Sequence, residues 1–155
     1  MLTTTASTSA LRHWLIKSEP SDYAIDDMCR DGRSAWDGVR NAVAQRNMRA
    51  MSEGDVCLFY HSSCGKKVGV VGEVKVVRPA YPEPGHEKFC CVDVEFASCY
   101  SRLVTLEEMK KYSGEDGALQ DMVLFRQPRL SVQPVSEAEF RFIQRLGSLD
   151  VHADV

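Results

Sequence analysis

No run in this 155-residue chain approaches the ~18 consecutive apolar residues that a membrane-crossing helix needs, so a soluble protein is expected. There is no C-x-x-C pair and no Cys/His spacing suited to a metal, although six cysteines are present. Several of them lie in apolar, strand-like runs, where cysteine packs as a small hydrophobe. Free thiols in a reducing cell interior follow, with no disulfide, zinc site or other cofactor expected. Cys64, in a turn-like segment, is the one thiol expected to be exposed. Net positive charge is also missing: the formal charge is −3, which excludes a protein that coats nucleic acid through phosphate neutralisation alone. Met1 to Ala10 carries no charged side chain and too weak an apolar centre for a secretory signal. It reads as a flexible tail, with a short mitochondrial presequence as the alternative. No repeat, low-complexity run or internal linker divides the rest, so one domain over 13–147 is expected between tails at 1–12 and 148–155.

What is present alternates between strand and helix signals. His13 to Lys17 is a short aromatic and β-branched run, stopped at Pro20, and predicts the first strand. Ser21 to Gly32 reads as a short helix with Ile25 and Met28 inward and glycine at its end. Arg40 to Met51 contains neither Gly nor Pro and carries an apolar stripe, which predicts a second helix. Val56 to Tyr60 is apolar throughout, as expected of a strand covered on both faces. Val68 to Val77 follows, with Val68, Val70, Val74 and Val76 expected on one face and Gly69 and Gly72 marking a bulge. Pro79 to Gly85 reads as a loop, and Phe89 to Ala97 as a strand with Val92, Val94 and Phe96 inward. Thr105 with Glu108 and Ser136 with Glu139 are capping boxes, and Arg129 to Val135 is a last short strand. Strands outnumber helices, and the class is α+β, a small curled barrel.

The chemistry concentrates in Trp36-Asp37-Gly38-Val39-Arg40-Asn41. An aromatic face, a carboxylate, an amide, a tight-turn glycine and a permanent cation together are the parts of a pocket that reads a base. The competing reading is a core tryptophan beside a turn that opens the next helix. Between Asp37 and Glu53 there is no acid but three arginines, Arg40, Arg46 and Arg49, so one face is predicted to be basic.

Four ordered motifs carry a family resemblance: Trp14-Leu-Ile-Lys-Ser-Glu-Pro20, the hexamer followed by Arg46-Asn47, Phe59-Tyr-His-Ser62, and Arg129-Leu-Ser-Val-Gln-Pro-Val135. From about Trp14 to Leu146 the chain resembles the EVE domain family, within the PUA-like superfamily related to YTH and ASCH domains. The resemblance implies a curled β-barrel with short helices around its openings. It also implies a reader of modified bases, chiefly modified cytosines, in DNA more readily than in RNA; an intracellular monomer is expected, nuclear first, with the cytoplasm or mitochondrion as alternatives. Lys17-Ser18-Glu19 and Trp36-Asp37 match the places from which YTH relatives cage a methylated adenine. Two departures stand out. The segment between Tyr81-Pro82 and Val92-Asp93-Val94 is shorter than usual, and Tyr23-Ala24 replaces a tyrosine-serine pair before the first helix.

On this reading the base pocket comprises Lys17, Ser18, Glu19, Trp36, Asp37, Val39, Asn41, Tyr60, His61, Ser62 and Ser131. Arg40, Arg46 and Arg49 would hold flanking phosphates. Glu19 or Asp37 would accept from the exocyclic amine of cytosine, with capping or turn roles as their alternatives. Two other classes stay open. Lys17, Ser18, Glu19 and His61 are the residue types of an ASCH-like amidohydrolase acting on modified cytidine, although residues 17 to 19 alternate in direction along a strand. A barrel that binds only protein is the third.

Overall fold

The computed structural model describes residues 11–148, so the two predicted tails lie almost wholly outside the described residues. Six strands form one mixed sheet: β1 (His13–Ser18), β2 (Arg33–Trp36), β3 (Val56–His61), β4 (Gly69–Glu83), β5 (His86–Thr105) and β6 (Val132–Val135). Their order is β2-β5-β4-β3-β1-β6, with β1 and β3 parallel and the other pairs antiparallel. Five short helices surround the sheet: α1 (Ile25–Asp31), α2 (Ala42–Arg49), α3 (Leu106–Lys110), α4 (Val123–Arg126) and α5 (Glu137–Ser148).

Alternation along β1 explains why both faces of the sheet are covered. Trp14 and Ile16 point into one core with Met48, Phe59, Val74 and Val92, whereas Leu15 points into a second with Leu58, Val104, Met109 and Phe140. The sheet curls without closing, because β2 and β6 are edges that do not pair with each other. Its curvature comes from the predicted glycines. The β3–β4 register slips at Phe59/Tyr60 and the β4–β5 register at Val70/Gly72, and a Cβ on Gly69 would lie 2.2 Å from the Val104 carbonyl. The bulge also corrects an expectation. Val70 packs in the second core while Val74 and Val76 pack in the first, since one inserted residue reverses the face of all that follow.

Pro79 to Glu83 is not a loop but the outer part of β4, and the chain reverses only at Pro84 and Gly85, where Gly85 has φ +82°. Beyond Lys75, β4 has β5 as its one strand partner, so Pro79 and Pro82 sit in an edge segment, where proline is tolerated. The short segment between Tyr81 and Val92 is therefore a closed hairpin. Local signals for the helices translate with one change. Ser136 and Glu139 exchange both bonds of a capping box and Gly32 ends α1 with φ +76°, whereas the box expected at Thr105 is only half made: Thr105 accepts from Glu108 N at 3.0 Å, and the Glu108 carboxylate turns to Arg102. Among the cysteines, Cys29 and Cys99 are the exposed ones and Cys64 is half-buried, the reverse of the expectation.

Candidate functional site

At the end of the sheet where β1 and β2 finish, a cleft of about 510 Å³ opens, within the range of pockets that hold small ligands. One wall is the hexamer. Trp36 ends β2, opposite Val92 of β5, and the chain then turns at Gly38, whose φ of +76° suits glycine alone among common residues. Glu83, reaching from β4, fastens this turn: it accepts from the Gly38 amide at 3.0 Å and takes Arg40 in a bidentate pair at 3.0 and 2.7 Å. Asn41 closes the segment by accepting from Ala44 N at 2.9 Å, which caps α2.

Trp36 is half-buried, with Phe59 edge-on at 5.5 Å and Tyr23 edge-on at 6.4 Å. Trp14, by contrast, is 1% exposed and donates to buried Asp55, so only one of the two tryptophans borders the cleft. The facing wall is the end of β1 and the turn after it. Ser18 donates its hydroxyl to the Tyr23 carbonyl at 2.6 Å, which leaves its oxygen as an acceptor toward the cleft. The Lys17 ammonium donates to the Pro128 carbonyl and lies 5.3 Å from the Tyr60 ring centre, and burial lowers its pKa. Glu19 and Asp37 are exposed on the rim, and no side-chain partner holds either among the described residues.

Of the residues named from sequence, Lys17, Ser18, Glu19, Trp36, Asp37, Val39, Arg40 and Ser131 line the cleft together. Tyr60, His61 and Ser62 do not, because the end of β3 is covered. Tyr60 is 3% exposed beneath Lys17, and burial pushes its hydroxyl to about 12. His61 uses Nε2 to accept from Ile25 N at 3.1 Å, serving the start of α1, and Ser62 extends the β1–β3 ladder by donating to the Ser18 carbonyl. Asn41 lines a neighbouring groove instead. The three arginines of the basic stretch are placed differently. The Arg40 guanidinium is committed to Glu83 and packs on Phe89, and Arg49 turns toward Gln45 and the Lys88 carbonyl, away from the cleft. Arg46 is exposed, without an acidic partner among the described residues.

Gly38 of the hexamer also lines the cleft, as do Asp22, Tyr23, Ser34 and Ala35, which were not singled out as pocket residues. Tyr23 had a local signal, an aromatic just past the turn at Pro20. Ser34 and Ala35 had none, since a four-residue strand reading Arg-Ser-Ala-Trp shows no β-branched residue.

The clamp has a pH signature. Arg40 first, then the Gly38 amide, hold the Glu83 carboxyl down at about 2 from its ordinary 4.5. A depressed acid stabilises the fold fully above the ordinary value and loses that contribution as pH falls through the folded one. The Gly38 turn is thus expected to loosen between pH 4.5 and about 2, seen as a shift of the Trp36 indole resonance in 1H–15N spectra. Glu83→Gln should remove that acid transition and leave the turn loosened at neutral pH; an unchanged transition would show that Glu83 does not control the turn.

Known proteins bear on this geometry. The EVE domain family model matches residues 12–146. Human thymocyte nuclear protein 1 is 36% identical over 165 residues, covering 86% of this chain and 73% of the human protein. Among solved structures, human THYN1 protein in complex with 5-methylcytosine-containing DNA superposes with a TM-score of 0.82 at 34% identity, covering 90% of this chain and 99% of that one. The YTH domain of Zygosaccharomyces rouxii MRB1, solved with N6-methyladenosine RNA, reaches a TM-score of 0.56 at 12% identity over 90% of this chain and 88% of that one, a likeness of fold alone. The expected PUA-like architecture is the architecture found. With the family matched across nearly all of the described residues, and a relative of this identity and coverage, the chain belongs to the EVE domain family.

Proposed function

We propose that this protein is a DNA-binding reader that takes a modified cytosine, flipped out of its duplex, into the cleft between Trp36 and the end of β1. The observation that carries the reading is Trp36 itself, a half-exposed indole on the wall of an open cleft that also presents Lys17, Ser18, Glu19 and Asp37. It is supported by the human relative solved with 5-methylcytosine-containing DNA. Extruding a base costs a few kcal/mol, and stacking on an aromatic returns ~1–3 kcal/mol, so hydrogen bonds to the base edge must supply the rest. Lys17 is suited to a base carbonyl, and Glu19 or Asp37 to the exocyclic amine of cytosine. Ser18 offers an acceptor. Arg46 is available for a flanking phosphate. Nuclear location and a monomeric state belong to the same proposal.

Two contacts favour a reader over a hydrolase. The Ser18 proton points at a backbone carbonyl rather than at a base, and the Lys17 ammonium is held by another carbonyl. A nucleophile needs an activating base within hydrogen-bond reach, and neither group has one here. The test is to incubate the protein with a panel of C5- and N4-modified cytidines and oligonucleotides and follow mass. Bound but unaltered ligand is expected; time-dependent conversion that Ser18→Ala abolishes would replace the reader by an enzyme.

A further inference from the structure

Beside the cleft runs a second groove of about 430 Å³, lined by Asn41, Val43, Gln127, Pro128, Arg129 and Leu130. We infer that this groove carries the phosphate and sugar of the nucleotide next to the flipped base, with Arg129 as its phosphate contact. The inference rests on the reader function proposed above and adds to it a strand path and a residue that the motif reading left unassigned.

Continuity is the first argument. Pro128 stands between the two cavities, and its carbonyl takes the Lys17 ammonium from the cleft side. Val39 lines the cleft and Asn41 the groove, just as Ser131 lines the cleft and Arg129 the groove. A strand whose base occupies the cleft therefore has its next backbone unit at this boundary.

Charge is the second. The cleft rim bears Glu19, Asp22 and Asp37, and a third groove, lined by Arg49 and Phe89, includes Glu87. The groove at Pro128 has a cation and no carboxylate in its lining. Of these three cavities it is thus the one that accepts a phosphate without an acid in its lining to repel it. Leu130 N donates to the Gln127 carbonyl at 3.1 Å, closing the turn that carries Arg129. Arg129 is exposed and has no ion-pair partner among the described residues, so its guanidinium is available to a phosphate. Asn41 spends its oxygen on the α2 cap and retains its amide donor, while Val43 and Leu130 offer an apolar wall to a sugar.

The test uses the full chain, one duplex carrying a single 5-methylcytosine, the same duplex unmodified, and fluorescence anisotropy at several salt concentrations. Arg129→Ala is expected to weaken both duplexes alike, by roughly 3- to 10-fold, and to make the salt dependence shallower by about 0.9 in log–log slope, while their ratio holds. Arg126→Ala is the control, since it removes the same charge from a residue paired with Asp121 outside the groove. If Arg129→Ala behaves like Arg126→Ala, or alters the ratio with an unchanged slope, the groove assignment is overturned. Should wild-type protein bind both duplexes equally while Arg129→Ala still weakens both, the modified-base reading fails and the groove assignment stands. No binding to either duplex overturns both.

Discussion

Trp36→Ala is expected to bring the affinities for a 5-methylcytosine duplex and its unmodified counterpart to near equality. Stacking of an extruded base on an aromatic is worth ~1–3 kcal/mol, so the preference should collapse by roughly 5- to 150-fold, with weak, salt-sensitive binding left to the arginines. The indole also packs against Phe59 and Tyr23, so the variant must be shown to be folded, and Trp36→Phe provides the comparison by keeping a smaller ring in place. Lys17→Ala and Ser18→Ala should cost less, about 1 kcal/mol each, as the loss of single hydrogen bonds. A preference that survives Trp36→Ala in folded protein would move the recognition surface away from the cleft. Equilibrium titration of the variants against both duplexes decides the matter.

The largest stability effect is expected far from the cleft, at Asp55. This carboxylate is fully buried and accepts from Trp14 Nε1 at 2.9 Å, Ser52 N at 2.9 Å and Arg12 N at 3.0 Å. It thereby ties the start of β1 to the turn before β3, the parallel pair of the sheet. Asp55→Ala strands three donors, two of them on the backbone and one deep in the core, and is expected to destabilise by about 3 kcal/mol in urea unfolding. Asp55→Asn keeps one acceptor oxygen and should lose less. If Asp55→Ala unfolds at the wild-type urea concentration, the network is not a major support of β1.

Local chemistry was readable and distant chemistry was not. The glycine that ends α1 and both capping residues depend on neighbours within a few positions, and the strand at His13 and the bulge at Gly69 to Gly72 announced themselves through local residue types. The outer half of β4 escaped because Pro79 and Pro82 argue against a strand unless its edge position is known. The pairing of Arg40 escaped for a similar reason. Its partner Glu83 is 43 residues away, and nothing near Arg40 in sequence announces a carboxylate that consumes its charge. Likewise, Tyr60 and His61 end an apolar strand, and only the packing of α1 and Lys17 over them takes them out of the cleft. What the motifs did locate was the pairing of Lys17-Ser18-Glu19 with Trp36-Asp37 as facing walls of one cleft.

The most direct measurement is a competition in which wild-type protein, saturated with a labelled duplex containing one 5-methylcytosine, is titrated with unlabelled duplexes of the same sequence. One competitor carries the modification and the other does not. A reader built on Trp36 requires the modified competitor to displace the label at concentrations at least several-fold lower than the plain one. Equal displacement by the two would contradict it.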